Sequence, residues 1–238
     1  GAIIKALPKI ENPTYTLELP STGEVVKYRP FLVKEQKVLM LAQQSKVDRD
    51  RNNAILEIIE SCTFGKVGAK NPIFDIEYVF LKLRSKSAGE SVDVMVTCPD
   101  DGQTKEKVTI NIDEIDVNMT ENHTNKINIT DTITINMRYP LVSDIDLKNA
   151  SIKDDVNGSF NVVKKCIDTI EDGDKILTRT DYNDKELDEF LNSFNTDQLN
   201  KVMEFFQSMP KLRHPIRVKN SKTGVESDVI LEGLESFL

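Results

Sequence analysis

The chain carries few side chains able to do chemistry, and their spacing limits what they can do. Two histidines, His123 and His214, and three cysteines, Cys62, Cys98 and Cys166, are the candidates for nucleophilic or metal work. A Cys–His dyad needs a thiol and an imidazole in hydrogen-bond reach, with the imidazole taking the proton. His123 lies in a polar stretch and His214 precedes Pro215 at a strand entry, so both read as surface or strand-edge histidines. Cys98-Pro99-Asp100-Asp101-Gly102 has the outline of a zinc knuckle, but Asp101 stands where a second thiolate belongs. A structural zinc site wants four ligands, mostly Cys or His. The segment therefore predicts a tight hairpin turn without metal. Three widely spaced cysteines also make no disulfide framework. Cys62 shares a helical stripe with Ile55, Ile58 and Ile59, and Cys166 follows Val162 and Val163, so both read as core thiols.

The acid pairs Asp100-Asp101 and Asp154-Asp155 lack the alternating oxygen ligands, central glycine and closing glutamate of a calcium loop. Glu171-Asp172-Gly173-Asp174 reads as a turn. Neither phosphate-cradling glycine motif is present. Asn-x-Ser/Thr matches at Asn118, Asn122, Asn128, Asn149 and Asn157 read as chance in a chain rich in these residues. No catalytic residue, metal or cofactor is expected.

The side chains that remain must act through surfaces, and the elements that position them follow from composition and periodicity. At 238 residues, 39% hydrophobic and 29% charged, the chain has a soluble globular balance and enough length for a real core. A net charge of −8 with no basic block repels phosphate backbones, so nucleic acid is not an expected partner. No apolar run approaches bilayer length, so no membrane partner is expected. The start, G-A-I-I-K-A-L-P-K, is too short and too quickly polar for a secretory signal. The chain is expected to be cytosolic, or assembled in a cytosol.

Tyr15, Leu17 and Leu19 alternate, Pro20-Ser21-Thr22-Gly23 turns, and Val26 and Tyr28 resume a strand, which predicts a hairpin. Helices follow over 33–45, with Val38, Leu41 and Ala42 inward, and over 51–62. A third opens with Asn71 as N-cap and Pro72 as first helical residue. Its apolar residues, Ile73, Ile76, Phe80 and Leu83 with Phe74, Val79 and Leu81, predict burial on more than one side. From Ser91 the period becomes two and predicts a second hairpin, Val92–Val96 with Val108–Ile112. Residues 113–125 read as loop, and 127–137 as strand. Residues 144–170 read as helical pieces broken near Asn157-Gly158, and 176–180 as a short strand. Leu187–Phe194 and Leu199–Phe206 have helical spacing, with Thr196 as N-cap of the second. A closing hairpin spans 216–231, and the two terminal hairpins could share a sheet.

The fold class is thus α+β: an N-terminal β-hairpin and three-helix body, a β-hairpin-rich middle, and C-terminal helices with a closing β-hairpin. The expected units are 1–90, 91–140 and 141–238, the last able to pack with the first. Candidate partner contacts are Tyr28, Arg29, Pro30, Phe31 and Leu32 at the strand–helix junction, Phe205 at a helix edge, and Leu234, Phe237 and Leu238 at the apolar end. The alternative is that these residues close the chain's own core.

Three stretches carry a resemblance: R-P-F-L-V-K-E entering the first helix, E-S-C-T-F-G-K ending the second, and F-D-I-E-Y-V-F-L-K-L-R-S-K-S-A-G-E through the third. The close, M-E-F-F-Q-S-M-P-K-L-R-H-P-I and I-L-E-G-L-E-S-F-L, joins them. Together they resemble the baseplate hub proteins of contractile-tailed, T-even-like phages, over about half the chain. That resemblance implies a non-enzymatic role in building the hub beneath the tail tube. It implies other hub and tail-tube proteins as partners, and a place in the virion tail baseplate after assembly in the host cytoplasm. A structural subunit and a transient assembly chaperone both fit. A cysteine hydrolase acting during assembly is a third reading, and the sequence leaves the oligomeric state open.

Overall fold

The computed structural model of the protein describes residues 6–144 and 156–237. It is α+β, as the periodicities predict. The N-terminal hairpin pairs β1 (Tyr15–Glu18) with β2 (Val25–Tyr28), Leu17 facing Val26. Helices α1 (Val33–Gln44), α2 (Asp48–Cys62) and α3 (Ile73–Ala88) follow. A second hairpin joins β3 (Ser91–Thr97) to β4 (Lys105–Asn111). Then come β5 (Asp116–Asn118), β6 (Lys126–Asn128), β7 (Ile133–Met137), α4 (Val156–Cys166), β8 (Ile167–Asp172) and β9 (Lys175–Leu177). Helices α5 (Asp184–Asn192) and α6 (Thr196–Ser208) precede the last hairpin, β10 (Lys211–Lys219) with β11 (Glu226–Glu232).

Several expectations are corrected. The stretch 113–125 is not all loop: β5 pairs antiparallel with β10, Leu212 opposite Val117. Cys166 ends a helix and Ile167 begins a strand, because β7 offers a ladder on which Ile170 meets Ile135. Asn157-Gly158 lies inside α4. Asn195, not Thr196, caps α6, accepting from the Gln198 N–H in a reciprocal capping box. The residue ahead of α3 is Pro72, and Asn71 instead accepts from the Gly68 N–H at 3.0 Å. The terminal hairpins occupy different sheets.

Two apolar clusters form. The first gathers β1–β4, α2, α3, Leu212 of β10 and the C-terminal Leu234 and Phe237. Helix α3 lies in this cluster, burying Ile76, Val79, Phe80, Leu81 and Leu83, which explains its apolar girth. Its Asp75 is also buried, accepting from the Ser21 N–H at 3.0 Å and so tying the first hairpin turn to the helix. The second cluster packs β6–β8 against α4, α5 and α6. Phe74 meets Tyr139 edge-on at 5.2 Å and Tyr139 stacks on Phe205 at 5.5 Å, so an aromatic chain links the two.

Candidate partner-binding surface

Helix α1 follows from its composition, V-K-E-Q-K-V-L-M-L-A-Q-Q, mostly strong helix formers. Pro30 holds the preceding corner extended, and Leu32 at φ −96° accepts from the Glu35 and Gln36 amides to start the first turn. Glu35, Val38, Leu39 and Ala42 take the inward positions i, i+3, i+4 and i+7. The opposite stripe is Val33, Lys37, Met40, Leu41 and Gln44. Val33 is 65% exposed, Met40 61% and Leu41 68%. Leu41 therefore points outward, against the expectation that placed it with Ala42. Lys37 is exposed within the stripe and Lys34 beside it, while the helix's one carboxylate, Glu35, is buried. An acidic protein thus presents one helix face that is apolar and basic.

The junction residues proposed as contacts are buried or half-buried. Tyr28 is buried against Tyr15 at 5.7 Å. Phe31 is half-buried, 5.7 Å from Phe80, and its N–H donates to Ser87 Oγ at 2.7 Å. Pro30 and Leu32 are half-buried. The Arg29 guanidinium pairs with the Glu35 carboxylate, donates to the Pro30 carbonyl at 3.2 Å, and lies 3.6 Å from Cys62 Sγ. The Arg29 amide donates to the Cys62 carbonyl at 2.9 Å, fastening the corner to the end of α2. Burial pushes the Cys62 thiol up to about 12, Arg29 opposing and Glu35 adding to the rise. Leu234 and Phe237 are buried in the same cluster, and the Leu234 amide donates to the Glu77 carboxylate. Phe205 is buried in the other cluster. Leu238 lies outside the described residues. The structure therefore puts Tyr28 and Phe31 in one cluster with Leu234 and Phe237, and Phe205 in the other. The exposed apolar surface that sequence reasoning missed begins one residue later, at Val33.

A second exposed apolar feature ends α2. Cys62, Thr63 and Val67 are fully buried, and Thr63 Oγ1 donates to the Ile59 carbonyl at 2.6 Å while accepting from the Val67 N–H at 3.2 Å. Between them the chain turns through Phe64 at φ 55° and Gly65 at φ 78°. The Gly65 amide closes the helix on the Glu60 carbonyl at 2.8 Å. The Phe64 ring is 55% exposed.

The groups that could do chemistry are otherwise engaged. Cys98 and Cys166 are buried; burial pushes Cys166 up to about 12 and raises Cys98 as well. His123 is no surface residue: it is half-buried, stacked 5.2 Å from Phe205, with Nδ1 at 2.8 Å from Ser208 Oγ and Nε2 at 3.0 Å from Tyr139 Oη. Ser208 Oγ donates its proton to the Glu204 carbonyl at 2.7 Å, so it accepts from the ring and is not activated by it. Burial pulls the imidazole below its ordinary value. The knuckle-like turn persists, with the Gly102 amide on the Cys98 carbonyl at 2.9 Å. Its acids fasten it to the β10–β11 turn. Asn220 Nδ2 donates to Asp101 at 2.9 Å and Asp100 at 3.1 Å, and Thr223 Oγ1 donates to Asp100 at 2.7 Å. Among the described residues no group of three His, Cys, Asp or Glu side chains is placed to hold a metal, and no helix is long and apolar enough to cross a membrane.

No curated protein and no solved structure matches the chain. A family model described as T4 bacteriophage base plate protein matches residues 12–238, and the chain belongs to that family.

Proposed function

We propose that this baseplate protein is a structural subunit of the hub of a T4-like phage tail, joined to other hub and tail-tube proteins by protein–protein contacts during tail assembly. The observation that carries this reading is the α1 face, where Val33, Met40 and Leu41 are exposed in one stripe. Single exposed apolar residues are ordinary, but three on one helix face, gathered around Lys37, mark an interaction site. Burying each such side chain is worth about 1.5–3 kcal/mol before the costs of ordering. Lys37 within the face and Lys34 beside it favour an acidic partner surface and set specificity more than affinity. The buried, raised thiols weigh against a cysteine hydrolase, since the thiolate is the nucleophile.

In this reading the chain assembles in the host cytoplasm and remains in the tail. Quantitative mass spectrometry of purified phage tails tests this directly. Retention of the chain at a fixed ratio to other hub proteins is the expected result. Its absence from finished tails, with failed assembly when its gene is deleted, would identify a transient chaperone instead.

A further inference from the structure

Helix α1 presents an apolar, basic face, and the same chain carries a surface that complements it. Strands β6, β7, β8 and β9 form one antiparallel sheet, with Ile127, Ile135 and Ile170 turned into the second apolar cluster. Side chains one residue along point to the opposite face of the sheet. Their register makes a row across all four strands: Asn128 opposite Thr134, Thr134 opposite Glu171, and Glu171 opposite Ile176. Ile176, on the edge strand, is 62% exposed.

The end of the sheet beside this row is acidic. The Gly173 amide donates to the Thr132 carbonyl at 2.9 Å, which sets the β6–β7 turn against the β8–β9 turn. Asp131, Asp172 and Asp174 are exposed on these turns. With Glu171 they stand against one cation, Lys175, in residues 127–134 and 170–177. The α1 face is the converse, with Lys34 and Lys37 exposed and Glu35 buried.

We propose that the α1 face of one copy docks across the Asn128–Ile176 row of a second copy. The contact supplies the acidic surface of the hub reading above and rests on that reading. The spacings agree. Adjacent strands lie about 4.8 Å apart, so the row spans about 14 Å. The α1 stripe from Val33 to Leu41 spans about 12 Å at 1.5 Å per residue, and Lys37 lies about 4.5–6 Å along the axis from Met40 and Leu41. Seating Met40 and Leu41 on Ile176 therefore sets Lys37 over Glu171, one strand away, and Val33 over Thr134. Pairing two α1 faces instead brings Lys37 against Lys37, which like-charge repulsion opposes. Each copy gives one helix and receives another, so the contact is heterologous and joins copies into a ring if the rotation closes.

Sedimentation of the full-length chain against concentration and salt tests this. The natural chain is expected to self-associate, less tightly as salt rises. Lys37→Glu and Glu171→Lys are each expected to weaken association about tenfold, and the chain carrying both to recover most of the loss. Ile176→Asp and Met40→Asp/Leu41→Asp chains, folded by circular dichroism, are each expected to stay monomeric alone. Mixed in equal amounts, they should form a dimer that grows no further, since each supplies the surface the other lacks. A monomeric natural chain, an Ile176→Asp chain that associates normally, or a doubly reversed chain no tighter than the single variants overturns the proposal. If Ile176→Asp and Glu171→Lys restore tails to a phage lacking the gene while Met40→Asp/Leu41→Asp does not, the hub reading stands and the copy-to-copy contact alone fails. If all three restore tails fully, both fail.

Discussion

The pair formed by Arg29 and Glu35 sets a measurable condition on the R-P-F-L-V-K-E corner. Their side chains are 11% and 3% exposed, so both charges are held almost out of water. Glu35 Oε2 has no partner, and the carboxylate relies on Oε1, which receives Arg29 and, at 3.5 Å, the Cys62 thiol. Removing Glu35 strands the guanidinium beside the Cys62 thiol and the Pro30 carbonyl, and removing Arg29 strands the carboxylate beside that thiol, with no opposite charge in either case. Breaking such a buried pair costs about 3–5 kcal/mol, whereas replacing both charges with apolar residues of similar volume is close to neutral. Arg29→Met or Glu35→Leu alone should therefore cost about 3–5 kcal/mol. At about 2–4 °C per kcal/mol for a domain of this size, that lowers Tm by roughly 6–20 °C. The double variant should recover most of the loss, giving a coupling energy of at least about 2 kcal/mol in a double-mutant cycle. Urea and thermal unfolding of the four proteins measure it. Single variants costing under about 1 kcal/mol, or a double variant as unstable as the sum of the singles, would refute the reasoning.

Three further outcomes are expected. His123 is held neutral by burial, below its ordinary 6.5, so its contribution is complete above pH 6.5 and is lost as pH falls from there through its folded value; His123→Phe keeps the stack on Phe205 and should remove that step from a plot of Tm against pH. Asp100, Asp101 and Glu106 are lowered, chiefly by hydrogen bonds from Thr223, Thr104 and Ser221 respectively, so the clamp between the two hairpin turns holds above ordinary carboxylate values and loosens as pH falls below them. Asn220→Ala should lower the urea midpoint at pH 7 and flatten the acid arm of that plot. The three thiols should resist a thiol reagent at pH 8 in the folded chain and react fully in urea, since each is buried and raised.

Local patterns carried much of the architecture. The apolar girth of α3, the alternation in β3 and β4, and the i, i+3, i+4, i+7 spacing of α5 and α6 each point to one element, and the structure agrees. The signal fails where two answers are locally equal. Val38-Leu39-Met40-Leu41-Ala42 is apolar throughout, so periodicity cannot choose which side of α1 faces the core. Glu35 decides it, because burying that carboxylate requires Arg29 from across Pro30, a condition set by tertiary structure. Residues 162–170 suit helix or strand alike, and the free edge of β7 selects a strand from Ile167. Strand β5 is three residues long and exists because β10 arrives to pair with it. Phe64 gave no sign of its backbone, since the residue types that announce a left-handed turn are glycine and asparagine. Tyr28 is buried against Tyr15 and Phe31 is half-buried against Phe80, and residue type alone does not tell such inward aromatics from exposed ones.

The central claim, that the chain works by docking through the outer face of α1, meets its most direct test in Met40→Asp/Leu41→Asp. Both side chains lie in solvent, so circular dichroism and urea unfolding should match the natural chain. In a phage lacking the gene, the double variant should yield folded protein, few finished tails, and a hub-protein complex at least 30-fold weaker. Normal tail yield with an unchanged complex would contradict the account.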